Sequence, residues 1–489
     1  MPPFVALVPW ATWTTGLSPD RAGGWSAIRG GLLLGFVHHA LVLHWMPGSL
    51  FWFTSLAPLG YLALVGLLAA LSGVAAWVLH LLVVRREAPL WLTLPAVWTV
   101  LEWLPSLAGP LAFPWLGLGT SLTGFPELLA PAEVGGILAV TFWVSLVNGV
   151  MADGIRSSGL LVHGPVRAVH ASGLRRWAPL MGLPFVLGIP AAWGIHRAAG
   201  LDLEPGARIA ALHLPMPAEP LDRHARAREA MAHGNRLLEG LEPGSVDLIV
   251  WPEASVPLAL DGAEGAPFFE ELSRHAARLD ATLLVGAYLE EGAARNALIF
   301  IGPDGEVDHA YAKRRLVPGV EGRFQAGRQP EVKESHGLLV GGLVCWDVAF
   351  GGLAREARLA GARLLANGSN DSFLEFPEAG SWTGWAARRQ HEAHLIVRAV
   401  ETRMGAVRAA TAGGTFLVDP VGRVTDRAMG PGAALVVGEV TTTATHSPYV
   451  RVGIGGGGPA IILLLLLGWG AGGKRKVHRN GGRDGDHNG

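Results

Sequence analysis

Long apolar segments separated by short polar connections dominate the first 200 residues of the chain. An α-helix needs about 20 mostly apolar residues to cross the hydrocarbon core of a bilayer. Segments that approach this length lie at 28–47, 58–83, 91–106, 132–150 and 178–195, and another lies at 453–472. The pattern therefore predicts six membrane-spanning helices, five before and one after a long stretch of different character.

That stretch, from 205 to 447, alternates between strand-like and helix-like segments. Short apolar runs bounded by Gly, Pro, Asn or Asp are typical of strands. They occur at 208–213, 246–253, 282–288, 296–302, 337–345, 363–368, 406–411, 414–420 and 433–440. Helical periodicity occurs at 221–240, 266–279, 352–361 and 382–403. The turn-forming sequences GPDG (302–305) and DPVG (419–422) join neighbouring strands, and the whole order predicts two layers of sheet covered by helices.

Composition supports burial in a membrane. Half of the residues are hydrophobic and only 16% are charged, whereas soluble domains carry about 25% charged residues. The 18 Trp agree with this, because Trp is enriched at membrane interfaces. A net charge of −1 gives no reason to expect nucleic-acid binding.

Basic residues predict how the chain is oriented, because short cytoplasmic loops are enriched in Lys and Arg. The basic clusters are Arg85 and Arg86, then Arg156, Arg167, Arg175 and Arg176, and finally Lys474, Arg475, Lys476 and Arg479. All three fall on one side of the membrane if each predicted segment crosses it. The stretch 205–447 then lies on the opposite side, away from the cytoplasm.

The predicted organisation is multi-domain. We expect a transmembrane helical bundle at 1–200, a catalytic domain at 205–447, a C-terminal transmembrane helix at 453–472 and a basic cytoplasmic tail at 473–489. The first apolar residues, PFVALVPW (3–10), are typical of the end of a hydrophobic helix, so we expect further N-terminal helices to be missing.

Three residues of the globular stretch are candidates for chemistry. Glu253 ends a predicted strand, Lys313 lies in the basic segment YAKRRLVPGVE, and Cys345, the only cysteine, closes the apolar run GLLVGGLVC. Taken singly, each has a plain structural interpretation: an exposed loop glutamate, a solvated basic loop and a buried inert thiol. The switch from apolar to polar residues after Cys345 favours a thiol presented at a strand end.

Together the three form a complete catalytic set. A thiol is only slightly ionised at neutral pH, so a nearby base or cation is needed to activate it. Glu253 is a suitable base for the thiol proton, and Lys313 is suited to stabilise a thiolate and the oxyanion of a tetrahedral intermediate.

The motifs resemble those of the nitrilase superfamily. WPE at 251–253, YxKxxLVPxxE from Tyr311 to Glu321, and Cys345 after an apolar strand match its three motifs in order. The resemblance implies a Glu-Lys-Cys triad in an α-β-β-α sandwich. Asn296, NGSND at 367–371 and the segment 398–424 are supporting similarities.

The helical part is similar to one membrane-bound family of this superfamily. VLEWLPSLAGPLAFPWLGLGTS at 100–121 is similar to the EW…FPW…G region of apolipoprotein N-acyltransferases. That resemblance implies a bacterial inner-membrane enzyme with its catalytic domain on the periplasmic side. A phospholipid would donate an acyl chain to Cys345 as a thioester, and the N-terminal amine of a diacylated apolipoprotein would accept it. No cofactor or metal is implied.

Further residues are assigned by the same resemblance. Glu321 matches a second glutamate that orients the lysine or the attacking amine, and the backbone N–H of Trp346 is a second oxyanion donor. Two sites depart from the family pattern: Asp347 stands where a glutamate is usual, and Gly319-Val320 precede Glu321 in place of an aromatic residue and glycine.

Two alternatives remain open. A membrane-tethered amidase would keep the triad but hydrolyse a small amide, although an anchor alone needs one helix rather than six. A catalytically silent relative would only bind lipid or lipoprotein, although it would not need to retain Glu253, Lys313 and Cys345.

Overall fold

The computed structural model describes residues 2–51, 54–115, 117–158, 177–215, 222–290, 292–374, 382–453 and 458–468. Helices form most of the described part before residue 200. They are α1 Val8–Thr15, α2 Arg21–Val42, α3 Met46–Phe51, α4 Ala57–His80, α5 Leu90–Trp103, α6 Ala132–Gly135, α7 Ile137–Ser158 and α8 Ala178–Ala199. An apolar helix, Gly458–Gly468, follows the globular part.

Helices lie at all six positions where a membrane span is predicted, but their lengths differ. Three of them are long and apolar enough to cross a bilayer: Ala57–Arg85, Ile137–Ser158 and Ala178–Ala199. Helix α5 has only 14 residues, because it passes into the 3-10 helix Leu104–Leu107, in which Pro105 lacks the N–H that a further α-helical hydrogen bond needs. The described part of the last helix is also short. Six full spans thus remain a prediction. The basic tail and residues 159–176, which lie between two predicted spans, are outside the described residues.

Small residues allow α2 and α4 to pack closely. A β-carbon added at Gly31 would lie 2.6 Å from that of Ala76, and one at Gly35 would lie 2.5 Å from that of Ser72. Close backbone approach through small residues is a common means of association between membrane helices. A larger side chain at either glycine would force these two helices apart.

The globular part contains thirteen strands among the described residues. They are β1 Glu204–Leu214, β2 Leu248–Val250, β3 Val256–Ala259, β4 Thr282–Leu289, β5 Arg295–Ile301, β6 Val307–Ala312, β7 Val332–Ser335, β8 Leu338–Val344, β9 Leu364–Asn370, β10 Gly405–Thr411, β11 Thr415–Val418, β12 Val424–Ala428 and β13 Ala434–Thr442. The helices are α9 Arg223–Leu238, α10 Ala266–Leu279, α11 Gly351–Leu359, α12 Trp382–Thr402 and α13 Pro448–Val452.

The strands hydrogen-bond in the order β6-β5-β4-β2-β1-β10-β9-β8-β7, and the others branch from this path. Strands β1 and β10 meet only through the pairs His213–Ala410 and Leu214–Thr411. The network is therefore nearly divided there into one half with β1–β6 and β13, which pairs with β1, and another half with β7–β12. All described strands are nevertheless connected, so the sheet-rich domain is confirmed while a sandwich of two separate sheets stays a prediction.

Three apolar clusters pack around the two halves. Side chains of both halves, including Val250, Leu284, Val340 and Ala366, form a shared cluster between them. Helices α9 and α10 cover the other face of the first half, and α11, α12 and α7 cover the second. The contact of α7 with this cluster joins the helical part to the catalytic domain.

Candidate active site

The candidate residues meet at one edge of the strand network. Strands β2, β4, β1, β10, β9 and β8 run parallel, and β6 runs in the same direction because both β4–β5 and β5–β6 are antiparallel. Glu253 follows β2, Lys313 follows β6 and Cys345 follows β8. Carboxyl ends of parallel strands lie at a common edge, where many α/β proteins place their ligands. The structure thus brings the three predicted residues together.

Lys313 lies between two carboxylates. Its Nζ is 2.9 Å from Glu253 Oε1 and also 2.9 Å from the carboxylate of Glu321. All three side chains are buried, and Lys313 is only 2% exposed. Burial would lower the pKa of Lys313, but the charges of Glu253 and Glu321 hold that pKa well above its usual value. The ammonium group is therefore a fixed cation at neutral pH.

Asn296 and backbone donors fix the two glutamates. The Nδ2 atom of Asn296 donates to Glu253 Oε1 at 2.8 Å and to Glu321 Oε1 at 3.0 Å. The remaining oxygen of Glu253 accepts from the N–H of Asn370 at 3.1 Å, and that of Glu321 accepts from the N–H of Val317 at 2.8 Å. Asn296, only a supporting similarity in the sequence, is thus a direct part of the site.

Cys345 lies at a sharp turn from strand to helix. Strand β8 ends at Val344, and the short 3-10 helix Cys345–Ala349 begins at the cysteine, whose φ is +45°. The side chain is 4% exposed. Burial and the charge of Glu253 raise the pKa of the thiol, and the charge of Lys313 opposes that rise. The resting group is therefore a thiol, and a base must take its proton before it can act as a nucleophile.

Asp347 connects the lysine segment to the cysteine turn. It accepts hydrogen bonds from Tyr311 Oη at 2.9 Å, from the N–H of Arg315 at 2.7 Å and from the N–H of Val344 at 3.1 Å. Burial raises the pKa of Asp347 to about 6. Its position is that of an orienting residue that holds two backbone segments, one beside Lys313 and one beside Cys345.

A second buried network lies behind Cys345. Two of its members, Asp371 and Arg408, lie in segments that were only supporting similarities in the sequence, and His391 was not singled out. His391 Nε2 is 3.3 Å from the carbonyl oxygen of Cys345, and His391 Nδ1 is 2.9 Å from Asp371 Oδ1. Arg408 donates to Asp371 Oδ2 at 2.6 Å. The charges of Arg408 and His391 overcome burial and hold the pKa of Asp371 well below its usual value. These residues lie on or beside α12, β9 and β10, so only the fold brings them together.

Trp346 takes part in an aromatic cluster with the helical part. Its ring stacks on Trp115 with centroids 5.2 Å apart and planes 18° apart, and Phe113 and Phe350 pack beside it. Gln390 Oε1 accepts a hydrogen bond from Trp115 Nε1 at 2.7 Å. The cluster gives the candidate site an apolar wall that comes partly from the helical part.

Comparison with known proteins identifies two families of domains in the chain. A family model described as "Carbon-nitrogen hydrolase" matches residues 208–446, which include the whole strand network beyond the start of β1. The match assigns this part of the chain, which contains the buried Cys, Lys and Glu residues, to the class of the carbon-nitrogen hydrolases. A second model, described as "Apolipoprotein N-acyltransferase N-terminal domain", matches residues 2–150. The chain belongs to the apolipoprotein N-acyltransferase family.

Individual relatives span most of the chain. The apolipoprotein N-acyltransferase of Geobacter metallireducens is 27% identical over 87% of this chain and 83% of its own length. That of Azotobacter vinelandii is 29% identical over 89% of this chain and 84% of its own. A carbon-nitrogen hydrolase structure from Helicobacter pylori is similar over 48% of this chain and 88% of its own, with 18% identity and a TM-score of 0.40.

Proposed function

We propose that this chain is an apolipoprotein N-acyltransferase that moves an acyl chain from a phospholipid through a thioester on Cys345 to the N-terminal amine of a diacylated apolipoprotein. The observation that carries the proposal is the buried Lys313 between Glu253 and Glu321, at the strand edge where Cys345 ends β8. The relatives' names supply the substrate class.

The first half of the proposed reaction forms the acyl-enzyme. Glu253 takes the proton of Cys345 Sγ, and the thiolate attacks the carbonyl carbon of the phospholipid ester. Lys313 and the N–H of Trp346 stabilise the oxyanion. When the carbon–oxygen bond breaks, Glu253 returns the proton to the departing oxygen, and the products are a thioester and a lysophospholipid.

The second half transfers the acyl chain. The neutral amine of the apolipoprotein attacks the thioester, and Glu253 takes one of its protons. The tetrahedral intermediate collapses to an amide and the Cys345 thiolate, which recovers the proton. Glu321 holds Lys313 in place through both steps, and no metal or cofactor is needed for either.

The localisation belongs to the same proposal: a multi-pass protein of the bacterial inner membrane with its catalytic domain on the periplasmic side. The three basic clusters support it. Single cysteines placed at exposed Asp202 and at Arg85 in a Cys345→Ala background would test it. We expect an impermeant maleimide to label position 202 in intact cells and position 85 only after lysis; the reverse pattern would contradict the orientation.

Mass spectrometry of the protein in phospholipid nanodiscs tests the chemistry. We expect a hydroxylamine-labile acyl mass on Cys345 that disappears when a diacylated lipopeptide is added, as triacylated product forms. Glu253→Gln should lower the rate of adduct formation by about a hundredfold or more, because the general base is lost. The exposed Glu264→Gln is the matched control and should retain the wild-type rate.

Other outcomes would point elsewhere. Turnover of a small amide without any lipid donor would favour a membrane-tethered amidase. An unmodified Cys345 under every donor, with lipoprotein maturation unchanged by Cys345→Ala, would contradict the acyltransferase and favour a silent binding protein.

A further inference from the structure

A cavity of about 320 Å³, with both polar and apolar walls, lies between the helical part and the catalytic domain. The helical part contributes Glu102 near the end of α5 and the turn Gly135–Gly136 before α7. The catalytic domain contributes the segment 349–353, which continues the turn of the candidate nucleophile, and the inner face of α12. Arg315, two positions after Lys313, also lines it. The cavity is therefore a neighbour of the candidate active site, at the helix ends that face the catalytic domain.

Helix α12 lines this cavity with polar atoms that have unused hydrogen-bonding capacity. His394 is 2% exposed, and neither of its ring nitrogens has a hydrogen-bond partner. Burial and the charge of Arg398 lower the pKa of His394 well below its usual value, so the ring is neutral and has one donor and one acceptor. Arg398 Nε and Glu401 Oε2 form an ion pair 3.1 Å apart without an aligned hydrogen bond. Buried groups of this kind are costly unless an occupant pairs with them.

The carboxylates among the described lining residues already have partners, although Glu401 Oε2, whose charge is paired with Arg398, keeps hydrogen-bonding capacity. Glu102 accepts three hydrogen bonds from within the helical part. Glu356 pairs with Arg314 at 2.7 Å, and Glu401 accepts the N–H of Ile137 at 2.7 Å in addition to its ion pair. The cavity thus offers little to an occupant that carries an ammonium group, since such a group needs a free carboxylate.

Arg315 adds a positive charge at the same cavity. Its side chain is exposed, and its guanidinium carbon lies 4.8 Å from the centroid of the Phe350 ring. No acidic partner of this guanidinium is found among the described residues. Arginine in this setting is suited to a phosphate, which accepts two parallel hydrogen bonds from the planar group.

We propose that this cavity binds the headgroup of the donor phospholipid and selects one that carries hydroxyls, namely phosphoglycerol. The phosphate would pair with Arg315, and the glycerol hydroxyls would bond to His394, Arg398 and Glu401. A hydroxyl both donates and accepts, which matches a neutral imidazole. The inference rests on the proposed function, which supplies the lipid. The end of α5 and the start of α7 lie at the level where membrane-spanning helices meet lipid headgroups.

Lipid binding by the full-length protein tests the proposal separately from the chemistry. Native mass spectrometry of the Cys345→Ala variant would compare phosphatidylglycerol with phosphatidylethanolamine of identical acyl chains. We expect about a tenfold preference for phosphatidylglycerol, which corresponds to a difference of about 1.4 kcal/mol. His394→Leu, which can neither donate nor accept, should reduce the preference to about twofold or less, and His394→Gln should retain most of it.

Arg315 is exposed, so a substitution there tests the proposal in a protein that keeps its fold. Arg315→Met should weaken phosphatidylglycerol binding about fivefold and leave phosphatidylethanolamine binding less affected. A wild-type preference below twofold, or one that His394→Leu leaves unchanged, would overturn the proposal and mean that the cavity holds only water. Equal competition by soluble glycerol phosphate would overturn the lipid as occupant. A clear lipid preference with no acyl adduct on Cys345 of the wild type would instead contradict the proposed function alone.

Discussion

At the scale of single residues, Asp347 determines how the lysine segment meets the cysteine turn. The carboxylate accepts from four donors, and two of these, the N–H groups of Arg315 and Val344, lie beside Lys313 and Cys345. Burial raises the pKa of Asp347 from 3.8 to about 6. Between about pH 4 and pH 6 the folded protein therefore holds a proton that the unfolded chain releases. The contribution of Asp347 to the free energy of unfolding consequently falls as the pH rises through that window.

The opposite trend is expected for activity. Below about pH 6 the protonated Asp347 loses an acceptor position, so the rate of acyl transfer should fall as the pH drops through this value. Asp347→Asn should lack that inflection and be about tenfold slower or more, because an unmet buried hydrogen bond costs about 1–3 kcal/mol. A pH–rate profile of acyl-adduct formation measures both effects.

The control is Asp202→Asn, since Asp202 is exposed. That variant should keep the wild-type profile. An inflection near pH 6 that persists in Asp347→Asn would assign the titration to another group.

Sequence alone predicted the residues whose neighbours in the chain mark them. Glu253, Lys313 and Cys345 each follow a strand, so local pattern and the family resemblance identified them. The network behind the cysteine was not predicted as such. Asp371 lies in the segment NGSND, which was only a supporting similarity, and His391 was missed, because these side chains come from different elements and meet only in the folded protein.

At the scale of elements, α12 links the candidate nucleophile to the helical part through Gln390. Gln390 Oε1 accepts from Trp45 Nε1 at 3.0 Å and from Trp115 Nε1 at 2.7 Å, and its Nε2 donates to the carbonyl of Val42 at 3.1 Å. Gln390→Leu leaves both buried indole donors without a partner. We expect destabilisation by about 1–3 kcal/mol for each donor and slower acyl transfer, because Trp115 stacks on Trp346.

Chemical unfolding of the detergent-solubilised protein measures this loss. Gln325→Leu is the matched control, since Gln325 is exposed, and it should change the free energy of unfolding by less than about 0.5 kcal/mol. Equal effects of the two substitutions would show that Gln390 does not couple the two parts.

The elements themselves were predicted where burial imposes a regular pattern. Helix α10 has the predicted bounds 266–279, and nine of the thirteen strands lie on predicted apolar runs. Strands β6, β7 and β12 were missed because polar and half-exposed residues occupy them, as in VDHAYA of β6. Strand β3 was missed because it has four residues, one of them proline.

At the scale of the whole molecule, a buried ion cluster holds the helical part against the catalytic domain. Glu133 of α6 lies 2.6 Å from Arg403, just after α12, and 2.9 Å from Arg197 of α8. Glu133→Gln leaves the guanidinium of Arg403 buried without its anion. Breaking a buried pair in this way costs about 3–5 kcal/mol.

The exposed pair Glu127–Arg423 spans the same junction and supplies the control. Its atoms are 3.3 Å apart, but the side chains are 34% and 47% exposed. Glu127→Gln should therefore cost less than about 1 kcal/mol. Thermal unfolding and limited proteolysis between the two parts would compare these variants, and similar losses in both would disprove the role of the buried cluster.

Cys345 has a backbone conformation that favours glycine. At a φ of +45°, a residue with a β-carbon is strained by about 1–3 kcal/mol. A glycine would relieve this strain, but it would lose the contacts of the buried side chain with Leu298, Tyr311 and Val344. The packing around the cysteine therefore keeps a side chain where the backbone alone favours none, as expected for a position that reactivity rather than stability determines.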